Sequence, residues 1–196
     1  MNGNAAVLGG SGIAGASIAP DFSPSSTVAS LTLRHSSMNG NQQTEGPSPD
    51  PNAMGGLGGG GILNMDGLAT LDHTWVKANT AQGFVGGGIA GGDYIGFGGQ
   101  STLSVSHGGV NDNVAPHAGG GGIQNLLGSA TVTHSEIDGN TSLNGGGISS
   151  GNQGSPNGTA QLRVSHSGGL EHGHGRARAE KALRSPQTGS RTAVAP

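Results

Sequence analysis

The chain of 196 residues contains no cysteine, so neither a disulfide framework nor a thiolate metal site is open to it. Aromatic residues make up 3% of it, with one Trp, one Tyr and three Phe, which is too little bulk for the core of an ordinary globular domain. Charged residues are 10% and the formal net charge is -3, so the high net charge of a typical disordered chain is missing. No run of about 18 apolar residues occurs, so no segment reads as a membrane-spanning helix. Helical periodicity is nearly absent too, which disfavours a compact α/β enzyme. What is abundant is glycine, at 42 residues, joined by 9 prolines. That level signals low complexity unless the glycines recur in register. They do recur.

Two signatures alternate along the sequence. One is a glycine step closed by isoleucine, ending at Ile13, Ile62, Ile89, Ile123 and Ile148. The other reads apolar, any, Leu or Val, any, His, with an apolar residue three positions on and Asn three beyond that. Its copies are LTLRHSSMNGN, ATLDHTWVKAN, LSVSHGGVNDN and ATVTHSEIDGN, so His35, His73, His107 and His134 each precede Asn41, Asn79, Asn113 and Asn140 by six residues. A fifth copy, LRVSHSGGLEH, keeps His166 and puts His172 in the Asn position. The opening MNGN matches IDGN at 137–140, which makes Asn4 a member of the same set. Because the chain opens inside a copy, it is expected to be a piece of a longer repeat array. The first twenty residues lack the basic start and apolar run of a signal peptide and read better as repeat.

The leanest repeat is about 26 residues, and the longer ones carry Gly- and Pro-rich insertions at fixed points, as surface loops on a constant frame would. The L-x-L and V-x-V alternation is a strand signal. Short strands at this period suit a solenoid whose coils stack through parallel pairing about 4.8 Å apart. Stacking gives such a chain a continuous thin core although Leu, Ile, Val and Phe together are under a fifth of it. The expected fold is an all-β, right-handed parallel β-helix of about five irregular coils over residues 1–172. Loops are expected at 14–26, 42–57, 91–100 and 149–158, with a disordered or partly helical basic tail at 173–196. That tail carries five basic side chains against one acidic, whereas the rest of the chain carries three against ten.

Gly-Gly-Gly-Ile alternating with an apolar-x-x-Asn tetrad resembles the GGA(I/L/V) and FxxN repeats of polymorphic outer membrane proteins, and more broadly bacterial right-handed parallel β-helix repeat proteins. The likeness covers roughly residues 1–172. Met, Val or Ile stands where those repeats have Phe, the fifth copy is degenerate, and residues 1–196 are expected to include no translocating barrel. The resemblance implies a β-helix that is extracellular or on the cell surface, and it supplies no catalytic residue.

Each repeated histidine follows a core Leu or Val by two positions, so a continuing strand would point His35, His73, His107, His134 and His166 to the core side. Stacked coils would align them in a column that serves as a structural ladder. Like charges within one partly desolvated column would oppose each other, so stability is expected to fall toward pH 5. A row along one axis does not converge on a tetrahedral point, and no metal ligand is assigned. Asn4, Asn41, Asn79, Asn113 and Asn140 read as turn caps. Two G-x-G-x-x-G matches, at Gly10 and Gly86, lack the strand–helix setting of a dinucleotide site. H-G-H at 172–174 and the loop bearing Tyr94 and Phe97 read as solvated. Asp66, Asp72, Asp112, Glu136 and Asp138 are too sparse for a catalytic pair; Asp72 with Lys77, or Asp138 with Arg163, could meet across adjacent coils, but nothing in the spacing forces it, and a surface ion pair is favoured over a lyase-type site.

No catalytic, cofactor-binding or metal residue is therefore expected, and no cofactor. The expected function is non-enzymatic, in adhesion or in binding a polysaccharide or cell-surface ligand, by a monomer that neither spans a membrane nor binds nucleic acid. The alternatives are a carbohydrate-active β-helix lyase or hydrolase, or a gene fragment without independent function. An enzyme would gather carboxylates, or a carboxylate with Arg or Lys, in one groove; a binding module would present a bare strand face of Thr, Ser and Asn.

Overall fold

The computed structural model describes residues 1–6, 12–16, 28–44, 59–83, 86–92, 101–151 and 160–167. The glycine–isoleucine step begins the strands β2 (Ile13–Ala16), β6 (Ile62–Met65), β10 (Ile89–Gly92), β14 (Ile123–Leu126) and β17 (Ile148–Gly151). The alternating segment before each histidine forms β3 (Ser30–Arg34), β7 (Leu68–Asp72), β11 (Thr102–Ser106), β15 (Ser129–Thr133) and β18 (Gln161–Ser165). Three short strands follow the histidines: β4 (Ser37–Asn39), β8 (Trp75–Lys77) and β12 (Gly109–Asn111). The segment after each asparagine gives β1 (Ala5–Ala6), β5 (Gln42–Gln43), β9 (Thr80–Ala81), β13 (Val114–Gly119) and β16 (Thr141–Asn144).

Each of these four groups is one sheet, and every pairing within it is parallel and joins successive coils. The chain is thus a parallel β-helix. Like positions align: Ile13, Ile62, Ile89, Ile123 and Ile148 form one core column, and Leu33, Leu71, Val105, Val132 and Val164 another. Met38, Val76 and Val110 line a third side, and the isolated bridge from Gly109 to Glu136 brings Ile137 level with Val110. The middle coils bury these side chains completely, Ile62, Leu71, Val76, Ile89, Val105, Val110, Ile123, Val132 and Ile137 having no exposed area. One or two apolar residues per coil on each wall therefore suffice, because their neighbours above and below finish the burial.

The glycine steps are where coils meet backbone to backbone. A Cβ on Gly61 would lie 2.8 Å from the Gly88 carbonyl oxygen, one on Gly88 2.6 Å from that of Gly122, and one on Gly122 2.7 Å from that of Gly147. The amides of Ile62, Ile89 and Ile123 bond to these same carbonyls at 2.8–2.9 Å. Any side chain at these glycines would push the coils apart.

One expectation about this frame changes. The ends of the segments read as loops are strand, because β2, β5, β10 and β17 extend into 14–16, 42–43, 91–92 and 149–151. The remainders of those loops (17–26, 45–57, 93–100 and 152–158), the tail 173–196 and residues 168–172 lie outside the described residues, apart from Thr44.

Candidate functional site

The asparagines form a continuous internal ladder. Asn79 illustrates its geometry: its backbone N–H and its Nδ2 both donate to the Asn113 Oδ1 at 2.9 Å, and Nδ2 also donates to the Met38 carbonyl at 2.9 Å. The same double donation links Asn4 to Asn41, Asn41 to Asn79, and Asn113 to Asn140. From Asn41 to Asn140 these amides are completely buried. The residue before each asparagine has a left-handed backbone, with φ of 65° at Gly3, 64° at Gly40, 53° at Ala78, 55° at Asp112 and 62° at Gly139. The turn needs that conformation, and the amide behind it satisfies the groups the turn exposes.

The histidines also form a column, but on the outside. Ring centroids are 4.9 Å apart from His35 to His73, 5.0 Å from His73 to His107, 5.1 Å from His107 to His134 and 4.9 Å from His134 to His166, with the last three pairs stacked nearly flat. The inward orientation expected from strand parity is corrected here. Each strand stops one residue before its histidine, and all five histidines take φ of 46–52°. Histidine tolerates this region better than most residues, and the corner leaves every ring exposed. With half of the His73 and His107 side-chain surface open to solvent, the core-side placement invoked for the column does not hold. Four of the five corners are closed by the next residue: the hydroxyls of Ser36, Thr74, Ser135 and Ser167 donate to the carbonyls of Arg34, Asp72, Thr133 and Ser165. The hydroxyl residue following four of the five histidines is the sequence signal for this corner.

Asp72 interrupts the uniformity of the column. Its Oδ1 accepts from the Ser106 hydroxyl at 2.9 Å and lies 3.1 Å from His73 Nδ1 and 3.3 Å from His107 Nδ1. The Ser106 hydrogen bond first, then that from His73, hold its carboxyl at about 2, below its ordinary 3.8; the His107 contact adds to this, and partial burial opposes it. Asp72 and Lys77 form no ion pair among the described residues. Lys77 Nζ instead meets Asp112 Oδ2 at 3.4 Å, both side chains being more than half exposed. Asp138 and Arg163 form no ion pair among the described residues; the Asp138 carboxylate accepts from the Gly139 N–H at 2.8 Å.

A second amide position escaped the sequence reading. Asn64 donates to the carbonyls of Gly67 and Thr102, and Asn125 to those of Gly128 and Gln161 and to the Ser150 hydroxyl. Both sit two residues after the step isoleucine and three before a glycine, an I-x-N-x-x-G signal present in only two coils.

The sheet β3–β7–β11–β15–β18 alternates sharply between its faces. Leu31, Ala69, Leu103, Ala130 and Leu162 point inward with the Leu33–Val164 column, and the intervening residues point out. In register, the outward rows are Ser30–Leu68–Thr102–Ser129–Gln161, Thr32–Thr70–Ser104–Thr131–Arg163 and Arg34–Asp72–Ser106–Thr133–Ser165. On an adjacent wall the Trp75 indole, 45% exposed, lies across Gly109, where a Cβ would come within 2.3 Å of its ring. Among the described residues no helix is long and apolar enough to cross a membrane. No protein-family model, curated protein or solved structure matches this chain.

Proposed function

We propose that this β-helix is a non-enzymatic secreted or surface-displayed protein that binds an extended polysaccharide along the outer face of the β3–β7–β11–β15–β18 sheet. The observation carrying this reading is the three outward rows, in which ten of fifteen positions are Ser or Thr. Their hydroxyls repeat at about 4.8 Å along the axis and about 6.6 Å along each strand. Each hydroxyl both donates and accepts, so a flat array of them matches a polymer whose own hydroxyls recur along its length. Many weak contacts at fixed spacing add through effective concentration rather than through one deep pocket. The likeness of the Gly-Gly-Gly-Ile and apolar-x-x-Asn signatures to polymorphic outer membrane protein repeats supports display outside the cell.

Co-sedimentation of the full chain with a panel of insoluble glucans and chitin, alongside a soluble glycan array, tests the proposal. Ser104→Arg combined with Thr131→Arg should lower the affinity for the bound glycan by about tenfold or more, equivalent to about 1.4 kcal/mol. Lys77→Ala, on a different wall, should leave it unchanged. Binding to no glycan, or binding indifferent to the row variant, would overturn the proposal.

A further inference from the structure

We propose that Asp72, His73 and His107 form a binding site for a divalent transition-metal ion of zinc-like chemistry on the outer edge of the histidine column. A row of imidazoles alone offers no point of convergence. Asp72 supplies one, because its Oδ1 stands 3.1 Å from His73 Nδ1 and 3.3 Å from His107 Nδ1, and the three ligand atoms lie within 4.8 Å of one another. Two ligands held at about 2.0–2.2 Å on a tetrahedral ion are separated by about 3.3–3.6 Å. Both carboxylate–imidazole distances are thus already close to the edge of such a tetrahedron, and only the two nitrogens must draw together. Reorienting the two exposed rings turns their in-plane lone pairs toward one point and brings the nitrogens together, at the expense of the His73–His107 stack.

The backbone fixes this arrangement. The left-handed corner at both histidines turns each ring out beside the last residue of its strand. The parallel register then sets Asp72 level with Ser106, one position before His107. The row holding Asp72 reads Arg34, Asp72, Ser106, Thr133 and Ser165, so only the His73–His107 step has a carboxylate beside it. Arg34 is level with Asp72 in the register but forms no ion pair with it among the described residues. Two imidazoles with one carboxylate favour zinc and its neighbours over calcium or magnesium, which prefer all-oxygen sites. Binding requires each ring to carry its proton on Nε2, so that Nδ1 presents its lone pair to the metal in place of the hydrogen bond to Asp72. The exposed side of the site leaves the remaining coordination positions to water.

Zinc titration by calorimetry of the chelator-stripped full chain, carrying His172→Ser and His174→Ser to remove the H-G-H segment, tests the proposal. One zinc ion should bind per chain. Asp72→Asn, His73→Asn and His107→Asn should each weaken binding by about tenfold or more, whereas His134→Asn, in the same column, should not change it. Asn is chosen because it accepts positive φ while ligating zinc poorly. Asp72→Asn leaves every stacked ring in place, so it separates the site from the column even if a histidine variant unfolds. Absence of saturable binding, full affinity in Asp72→Asn, or a loss in His134→Asn equal to that in His107→Asn would overturn the proposal.

Discussion

The most searching perturbation of the internal ladder is Asn113→Ala. Its Oδ1 accepts from the backbone N–H and the Nδ2 of Asn79, and its Nδ2 donates to the Val76 carbonyl and to Asn140 Oδ1, all four bonds being 2.9 Å long. The side chain is completely buried, so its partners are cut off from bulk water. Four bonds at about 1 kcal/mol net each give about 4 kcal/mol, and the buried groups left without partners push the figure up rather than down. That exceeds the usual range for a point substitution, about 0.5–3 kcal/mol. Asn4 gives the contrast: it is exposed, and among the described residues its side chain contributes one donated bond, to Asn41. Asn4→Ala should cost about 1 kcal/mol or less. Asn113→Asp keeps the acceptor but loses both donated bonds and buries a charge, so it should be at least as damaging as Asn113→Ala. Urea unfolding followed by far-ultraviolet circular dichroism measures all three. A cost for Asn113→Ala no larger than that of Asn4→Ala would refute the idea that the ladder holds the coils together.

Gly88→Ala places a Cβ 2.6 Å from the Gly122 carbonyl oxygen and 2.9 Å from the Asn113 amide; it should cost about 3 kcal/mol or more, while Gly15→Ala, with nothing within 4 Å among the described residues, should stay within about 1 kcal/mol of the parent in the same urea assay. Ala78 carries a left-handed φ of 53° at a position where three other coils use glycine, so Ala78→Gly should stabilise the chain by about 0.5–1 kcal/mol, read as a raised urea midpoint. Asp72 titrates at about 2 in the folded chain against about 3.9 unfolded. Its contribution is therefore complete above about pH 4 and lost as pH falls toward 2. In metal-free melts, the parent should lose more stability than Asp72→Asn between pH 4 and 2, and parallel curves would refute the assignment.

The stacking was legible because it rests on identities at fixed spacing: six residues from histidine to asparagine, and an isoleucine closing each glycine step. Parallel coils in register turn such spacings directly into columns. The facing of the histidines was not legible, since strand parity assumes a strand that continues, and the left-handed corner at residues such as His73 and His107 breaks it. The same corner explains the partners of Lys77 and Asp72. It separates β7 from β8, leaving Lys77 beside the end of β12, where Asp112 lies, and Asp72 among the imidazoles. Asn64 and Asn125 were missed because a ladder position occupied in two coils alone leaves no repeat to find.

Register is the central claim, and distances between paired spin labels measure it directly in a chain without native cysteine. Thr32, Thr70, Ser104, Thr131 and Arg163 occupy one row. Labels on Thr32→Cys with Thr131→Cys span three coil steps, about 14 Å, and those on Thr32→Cys with Arg163→Cys span four, about 19 Å. Stacked coils predict two narrow distributions whose means differ by one strand spacing, about 5 Å. Broad distributions centred beyond about 30 Å, as an unstacked chain would give, would contradict it.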